Sequence, residues 1–277
     1  MIGYLGPQGT FSQLAALEHF GENTPLKAYG SIYSLILTTE RGEVEKAIVP
    51  IENSIEGSVN MTLDTLAFDV NLYITDEYIL KVSENLMVKE GTKIEDITKV
   101  LSHPQPIAQC AHMLESRLSG IPTEYTESTA AAAKIVSESD EPFAVLGPKS
   151  LADMYGLEIL LADCEDDHSN STRFVVIERS PTQVVTNSDK TSVAFTLDNR
   201  PGSLWTALEM FADQKINMIK IESRPVKKEL GKYIFFIDID GNIDDATIFF
   251  ALNKIRSHTE FYKFLGSYRK AQTEAEK

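Results

Sequence analysis

The sequence predicts an α/β chain in two parts, a layered domain of alternating strands and helices followed by a smaller ferredoxin-like unit. Three observations carry this. Short β-like runs alternate with helix-period segments as far as Ser180, the pattern of helices laid on partly parallel sheets. The segment Pro181–Asp189 is polar and without strong period, which suits a domain boundary. From Thr191 onward the elements follow the order βαββαβ. A length of 277 residues fits two domains.

Taken in order, Ile2–Leu5 is a strand, and a turn leads into a helix over Ser12–Phe20. Lys46–Pro50 is a short buried strand, Val59–Ala67 is helical, and Val70–Met87 is strand-rich. Val100–Ser102 is a strand, Pro106–Leu118 a helix, and Thr123–Thr126 extended. The alanines of Ser128–Ser137 favour a helix. Phe143–Leu146 is a strand, Pro148–Tyr155 a helix, and Thr172–Ile177 the closing strand. In the second part Thr191–Leu197 alternates as a strand, and Pro201-Gly202 makes a turn. Leu204–Phe211 is an amphipathic helix with Leu204, Leu208 and Phe211 on one face. Ile216–Ser223 is a strand, with Ile219 and Ile221 on one side and Met218, Lys220 and Glu222 on the other. A turn over Lys227–Gly231, a strand over Tyr233–Asp240, a helix over Asp244–Ser257 and a strand over Phe261–Tyr268 complete the unit. The charged end Arg269–Lys277 reads as frayed.

Charge narrows the function. There are 26 Lys and Arg against 41 Asp and Glu, a net charge of −15. That argues against nucleic acid, whose binders carry basic stripes, and against an anionic membrane surface. A small anion is still admitted, since a helix N-terminus or one arginine can hold a carboxylate. Cys110 and Cys164 are too few for a disulfide framework and read as reduced thiols. No apolar run is long enough for a membrane span, and Met1–Pro7 lacks a signal peptide's basic and apolar regions. The expected compartment is the cytoplasm. The five histidines have no metal-ligand spacing and read as structural or surface residues.

Polar turns at strand ends are where chemistry would sit. Gly6-Pro7-Gln8-Gly9-Thr10-Phe11-Ser12 follows the first strand, and Thr10 or Ser12 either caps a helix or meets an anion. Its glycine spacing is neither the dinucleotide fingerprint nor a P-loop. Val49-Pro50-Ile51-Glu52-Asn53-Ser54 ends a buried strand in clustered polar groups, and is either a capped turn or a ligand loop. Ser102-His103-Pro104-Gln105 and Glu127-Ser128-Thr129 have the same form, each alone better read as a cap. Asn170-Ser171-Thr172-Arg173-Phe174 precedes the last strand, and the guanidinium of Arg173 suits a carboxylate or a surface ion pair. Four or more such turns in one domain point to a shared cleft. Asn199-Arg200-Pro201-Gly202-Ser203-Leu204 and Glu222-Ser223-Arg224-Pro225 frame turns of the second unit. A small sheet with an open edge often pairs with a copy of itself.

Together these motifs, in this order and over essentially the whole chain, resemble prephenate dehydratase with a C-terminal ACT regulatory domain. The resemblance implies two α/β lobes like periplasmic solute-binding proteins within residues 1–183, the second lobe over 80–163, and an ACT domain over 190–268. It implies conversion of prephenate to phenylpyruvate without a metal or organic cofactor. Thr172 would be the hydrogen-bond donor to the leaving hydroxyl, with Arg173 and Phe174 in the same catalytic motif. Thr10, Glu52, Asn53, Ser54, Gln105, Ser128, Thr129 and Asn170 would bind substrate. L-Phenylalanine would act as effector at Asn199, Pro201, Gly202, Ser203, Leu204, Glu222, Ser223 and Arg224, across a homodimer or homotetramer. The family often has Gly-Ala-Leu where this chain has Gly202-Ser203-Leu204 followed by Trp205.

Overall fold

The computed structural model describes residues 1–226 and 231–271. The turn expected over Lys227–Gly231 and the frayed end at Arg269–Lys277 fall largely outside the described residues. The chain divides into two compact units that are each discontinuous in sequence. The first contains Met1–Ser31, Glu52–Gly57 and Ile79–Arg173, and the second contains Ile32–Ile51, Ser58–Tyr78 and the chain from Phe174 onward.

One sheet is assembled from distant pieces of sequence: β1 (Ile2–Leu5), β2 (Leu26–Tyr29), β3 (Lys46–Asn53), β4 (Gly57–Ser58), β5 (Tyr73–Lys81) and β11 (Ser171–Glu178). Its order is β2-β1-β3-β11-β5, with β4 on β3. β1 and β2 run parallel, joined through helix α1 (Phe11–Phe20). Thr10 starts α1, its hydroxyl accepting the Gln13 N–H at 3.4 Å. Helix α2 (Ile32–Glu40) and strand β2 are elements that sequence periodicity did not reveal. Helix α3 (Asn60–Phe68) hangs on β3 through Thr62 Oγ1, which donates to the Pro50 carbonyl at 2.6 Å, and through the Val59 N–H to Ile51, 2.9 Å.

The first unit holds a five-stranded sheet of β6 (Asn85–Lys89), β7 (Lys99–Ser102), β8 (Thr123–Tyr125), β9 (Phe143–Gly147) and β10 (Leu157–Leu161), in the order β10-β6-β9-β7-β8. Side chains alternate between two cores, as strand geometry requires. Leu86, Val88, Val100, Ala144 and Leu146 pack on one face with Ile107 and Cys110. Met87, Leu101 and Val145 pack on the other with Ala130, Ala132, Ala133 and Leu151. The alanines belong to α6 (Thr129–Glu138), and small side chains let that helix lie close to the sheet. The expected single helix at Pro106–Leu118 is two, α4 (Pro104–Gln109) and α5 (Ala111–Arg117). Cys110 breaks it with ψ of 24°, while Pro104 supplies a start for the first piece. Helix α7 (Ser150–Tyr155) completes the second face.

The second unit ends in the expected βαββαβ module: β12 (Asp189–Thr196), α8 (Ser203–Asp213), β13 (Met218–Pro225), β14 (Tyr233–Asp240), α9 (Ala246–Arg256) and β15 (Tyr262–Arg269). The sheet order is β13-β14-β12-β15. Val193, Phe195, Ile237 and Ile239 face the two helices. The helix face of α8 is Ala207, Met210 and Phe211, whereas Leu204 is exposed, so the apolar stripe lies one step from the expected one. All eight residues of β12 are buried, because the other sheet face is covered too. There Lys190 pairs with Glu77 of β5 at 2.9 Å, and Gly266 of β15 lies so close to Ile74 that a Cβ would stand 2.1 Å from its carbonyl oxygen. Only glycine permits that approach and the φ of +144°.

Candidate active site

Asn53 ends β3 and is 8% exposed. Its Oδ1 accepts the backbone N–H groups of Ile55 and Glu56 at 2.9 and 3.0 Å. Two amide donors on Oδ1 settle which end of the side chain is which. Its Nδ2 therefore donates to Asn170 Oδ1 and Thr172 Oγ1, both at 3.0 Å. Ser54 closes the junction: its N–H donates to the Ser171 carbonyl at 2.9 Å, and its Oγ accepts the Ser171 N–H at 3.0 Å. The sequence pattern put these residues in separate turns, and the fold brings them into one network.

The direction of that network matters. Thr172 Oγ1 receives a hydrogen bond from Asn53, so its own proton is left to point elsewhere. A hydroxyl that accepts on one side donates better on the other. Strand alternation sorts the neighbours. Asn53 and Thr172 meet on one face, while Glu52 and Arg173 meet on the other, Arg173 Nη1 lying 3.4 Å from Glu52 Oε2. Arg173 thus meets a protein carboxylate, the ion-pair alternative for that residue, on the strand face opposite Thr172. Phe174, 1% exposed, is buried and packs rather than meeting solvent.

Asn170 is completely buried, and its Nδ2 has no protein partner. It lines a cavity of about 350 Å³ together with Gln105, Gln109, Glu165 and Glu56. Gln109 Oε1 is also buried without a partner. One donor and one acceptor in a common lining fit a ligand carrying both oxygen acceptors and a hydroxyl. Sequence motifs pointed to Gln105 and missed Gln109. The signal was spacing, since residues four apart on α4 share a face.

The remaining predicted residues are placed at helix starts. Thr10 Oγ1 accepts the Gln13 N–H, the capping reading of that turn, and its one proton is shared between the carbonyls of Leu5 and Pro7 at 3.1 and 3.0 Å. Gly9, with φ of +83°, lies against Ala130 and Leu151, which brings this turn beside α6 and α7. Ser128 caps α6 by accepting the Ala131 N–H at 3.1 Å. Thr129, 9% exposed, is the first residue of that ten-residue helix, whose positive end suits an anion.

Two chain segments, at Val82–Asn85 and Cys164–Asn170, bring buried acids together. Glu84 is 1% and Glu165 3% exposed. Glu165 Oε2 accepts the Glu84 N–H at 2.9 Å, and its Oε1 lies 3.2 Å from His168 Nδ1. Burial, reinforced by the nearby Glu165 charge, pushes the Glu84 carboxyl up to about 8. Glu84 Oε2 is buried and unpartnered. Burial also pushes the Cys110 thiol far up, which makes it a packing group and not a nucleophile. Among the described residues there is no cluster of potential metal ligands, and no helix is long and apolar enough to cross a membrane.

In the ferredoxin-like module, Gly202 (φ +89°) precedes α8. Pro201, Gly202 and Ser203 line a cavity of about 210 Å³ with Met210 and His258. Asn199, Ser203 and Leu204 line another, of about 150 Å³, with Tyr233 and Phe235. Ser203 Oγ is buried and unpartnered. Ser223 of β13 pairs with Phe235 of β14, on the side of these cavities. Glu222 and Arg224 lie on the opposite face of the strand.

Comparison with known proteins agrees with this architecture. The family pattern of prephenate dehydratase matches residues 2–182, and that of the ACT domain matches 191–256. A bifunctional chorismate mutase/prephenate dehydratase of Neisseria gonorrhoeae is 40% identical over 268 residues, covering 96% of this chain and 74% of the relative. A prephenate dehydratase of Lactococcus lactis subsp. cremoris is 38% identical, covering 96% of each chain. The crystal structure of an Arthrobacter aurescens prephenate dehydratase in complex with L-Phe superposes with a TM-score of 0.91 at 32% identity, over 100% of this chain and 91% of that one.

Proposed function

Because the chain belongs to the prephenate dehydratase family, we propose that it converts prephenate to phenylpyruvate and is restrained by L-phenylalanine bound to its ACT domain. The catalytic domain spans 1–183 with its second lobe over 80–163, and the ACT domain spans 190–268. The reaction breaks two bonds on one ring. The ring carboxylate leaves as carbon dioxide, its bonding electrons enter the ring, and the C–O bond to the ring hydroxyl breaks on the far side. The departing oxygen takes up a proton and leaves as water. Aromatisation drives the change, so the protein's task is to help a poor leaving group depart.

The observation that carries this reading is the Asn53 Nδ2 donation to Thr172 Oγ1 at 3.0 Å, which leaves the Thr172 O–H to donate to the departing oxygen, any proton it passes on being regained from solvent. Asn170 Nδ2, Gln109 Oε1 and Gln105 supply polar groups for the substrate side chain. Thr129 and the N-terminus of α6 offer weak positive potential to a carboxylate. Weak holding suits the carboxylate that departs, since binding it more firmly than the transition state would slow the step.

Phenylalanine binds beside Asn199, Gly202 and Ser203. Exposed Ile219 and Ile221 on edge strand β13 support pairing of two ACT sheets, hence at least a homodimer. The two buried free cysteines suit a reducing cytoplasm. The test is phenylpyruvate formation from prephenate by the purified chain, with and without phenylalanine. Turnover suppressed by phenylalanine is expected. No turnover by folded protein removes the catalytic assignment, and turnover indifferent to phenylalanine removes the effector.

A further inference from the structure

Strand β13 has two working faces. Ser223 lies on the face it shares with its register partner Phe235, which lines one of the cavities at the start of α8. Lys220, Glu222 and Arg224 look the other way, and all three are engaged by residues of β4 and α3. Arg224 grips Asp64 with both oxygens, Nε to Oδ1 at 2.8 Å and Nη2 to Oδ2 at 3.1 Å, and its Nη1 donates to Asn60 Oδ1. The pair is largely buried, with 16% and 9% of the two side chains exposed. Ser58 Oγ donates to Glu222 Oε2 at 3.2 Å and accepts from Lys220 Nζ at 3.0 Å. A planar, two-point grip fixes direction as well as distance, which a single charge contact does not.

What β13 grips is the stretch that follows the Asn53 turn. Ser58 comes five residues after Asn53 in the sequence. Asn53 Oδ1 accepts the N–H groups of Ile55 and Glu56 within that stretch. Behind it α3 is bolted to β3, the strand that ends in Asn53, through Thr62 Oγ1 to Pro50 and Val59 N–H to Ile51. A shift of β13 along its axis would therefore pull on both ends of the segment that orients Asn53, and Asn53 orients Thr172.

We propose that Asp64, with Asn60 and Ser58, is the receiving end of the regulatory signal, a set of positioning residues through which β13 of the ACT domain controls the Asn53 turn. This rests on the effector role proposed above. An effector at the Ser223 face acts only if it favours one of two arrangements of β13, and the Arg224–Asp64 grip is the connection that makes the catalytic turn feel the difference. Coupling of this kind is a free energy shared between sites, and deleting the connection removes the coupling without removing either site.

The experiment compares wild type with Asp64→Asn in the full chain, measuring turnover of prephenate with and without saturating phenylalanine, and phenylalanine binding by calorimetry. Wild type is the control on the earlier reading. If it is active and uninhibited, that reading and this proposal fall together. If wild type is inhibited, Asp64→Asn should still bind phenylalanine while its fold-inhibition drops at least about fivefold, toward none. A merely structural role would lower turnover equally with and without phenylalanine, leaving the fold-inhibition unchanged, and that outcome overturns the proposal. Loss of phenylalanine binding in the variant overturns it as well, by making Asp64 a support of the effector pocket. Should Asp64→Asn fail to fold, Arg224→Lys, which keeps the charge but loses the two-point grip, carries the same expectation, and unchanged inhibition there overturns the proposal.

Discussion

The surroundings of Asn170 and those of Lys190 are both polar and buried, and they are built to opposite ends. Lys190 Nζ sits between the two oxygens of Glu77, 2.9 Å from each. Ser192 Oγ nearby bonds Asp238 Oδ1 at 2.5 Å and Tyr268 Oη at 2.6 Å. Around Asn170 and the nearby acids, by contrast, Asn170 Nδ2, Gln109 Oε1 and Glu84 Oε2 are buried with nothing in the protein to bond. Burying an unpaired polar group costs roughly 1–3 kcal/mol. A fold tolerates that cost where a ligand settles it, and satisfies its polar groups where the role is architecture. The unpartnered atoms gathered around Asn170 are what a ligand would settle, whereas the Lys190 surroundings need none.

The largest expected effect breaks the scaffold side. Lys190→Met leaves the Glu77 carboxylate buried beside an alkyl chain, and stability should fall by about 3–5 kcal/mol. Urea unfolding reads this directly. Adding Glu77→Leu should restore most of the loss, since a well-packed apolar pair commonly replaces a buried ion pair. A Lys190→Met protein as stable as wild type would mean that the pair is not desolvated as the geometry implies.

On the site side, Thr172→Ala should lower turnover at least ~100-fold, about 2.7 kcal/mol of transition-state stabilisation, with the unfolding midpoint nearly unchanged. The contrast between the two variants is the point: one loses stability and the other loses rate. A Thr172→Ala enzyme with near-normal turnover would move the proton donor to another residue.

Much of this was legible in the sequence, and the misses have physical causes. The polar turns at Asn53 and Gln105 follow short buried strands and the one at Asn170–Thr172 opens one; each alone passes for a cap or turn, and it is their order along the chain that marked them. The βαββαβ order was readable because its helices are amphipathic and its strands alternate. Helix α2 was not, since Ile32–Glu40 is rich in β-branched residues with low helix propensity. It forms because Thr38 and Thr39 turn their hydroxyls back to the carbonyls of Ser34 and Leu35, at 2.5 and 2.9 Å, and because Leu35 and Ile36 are fully buried. The grip of Arg224 on Asp64 joins residues 160 apart in the chain, and no local pattern encodes such a pair. For the same reason the sequence left Arg173 open between a ligand carboxylate and an ion pair within the protein, and could not name Glu52 on the neighbouring strand as its partner.

The smallest expected effect sharpens the comparison at its most ambiguous residue. Glu84 is buried and unpartnered like the site residues, yet it can settle its own cost by keeping a proton. Its carboxyl is pushed up to about 8 in the folded chain, against an ordinary value of about 4.3 unfolded. Between those values the folded state holds a proton that the unfolded state has released, so this group's contribution to stability is whole below about 4.3 and is lost as pH rises through 8. Glu84→Gln keeps the shape and carries no titrating proton. The variant should therefore gain on wild type steadily as pH rises from 5 to 8, by up to about 1.4 kcal/mol per pH unit. Unfolding midpoints at pH 5, 6.5 and 8 give the two curves. Parallel curves would show that Glu84 is ionised throughout, paired by motion or water. Glu84 would then stand with Asn170 and Gln109 as a group waiting for a ligand.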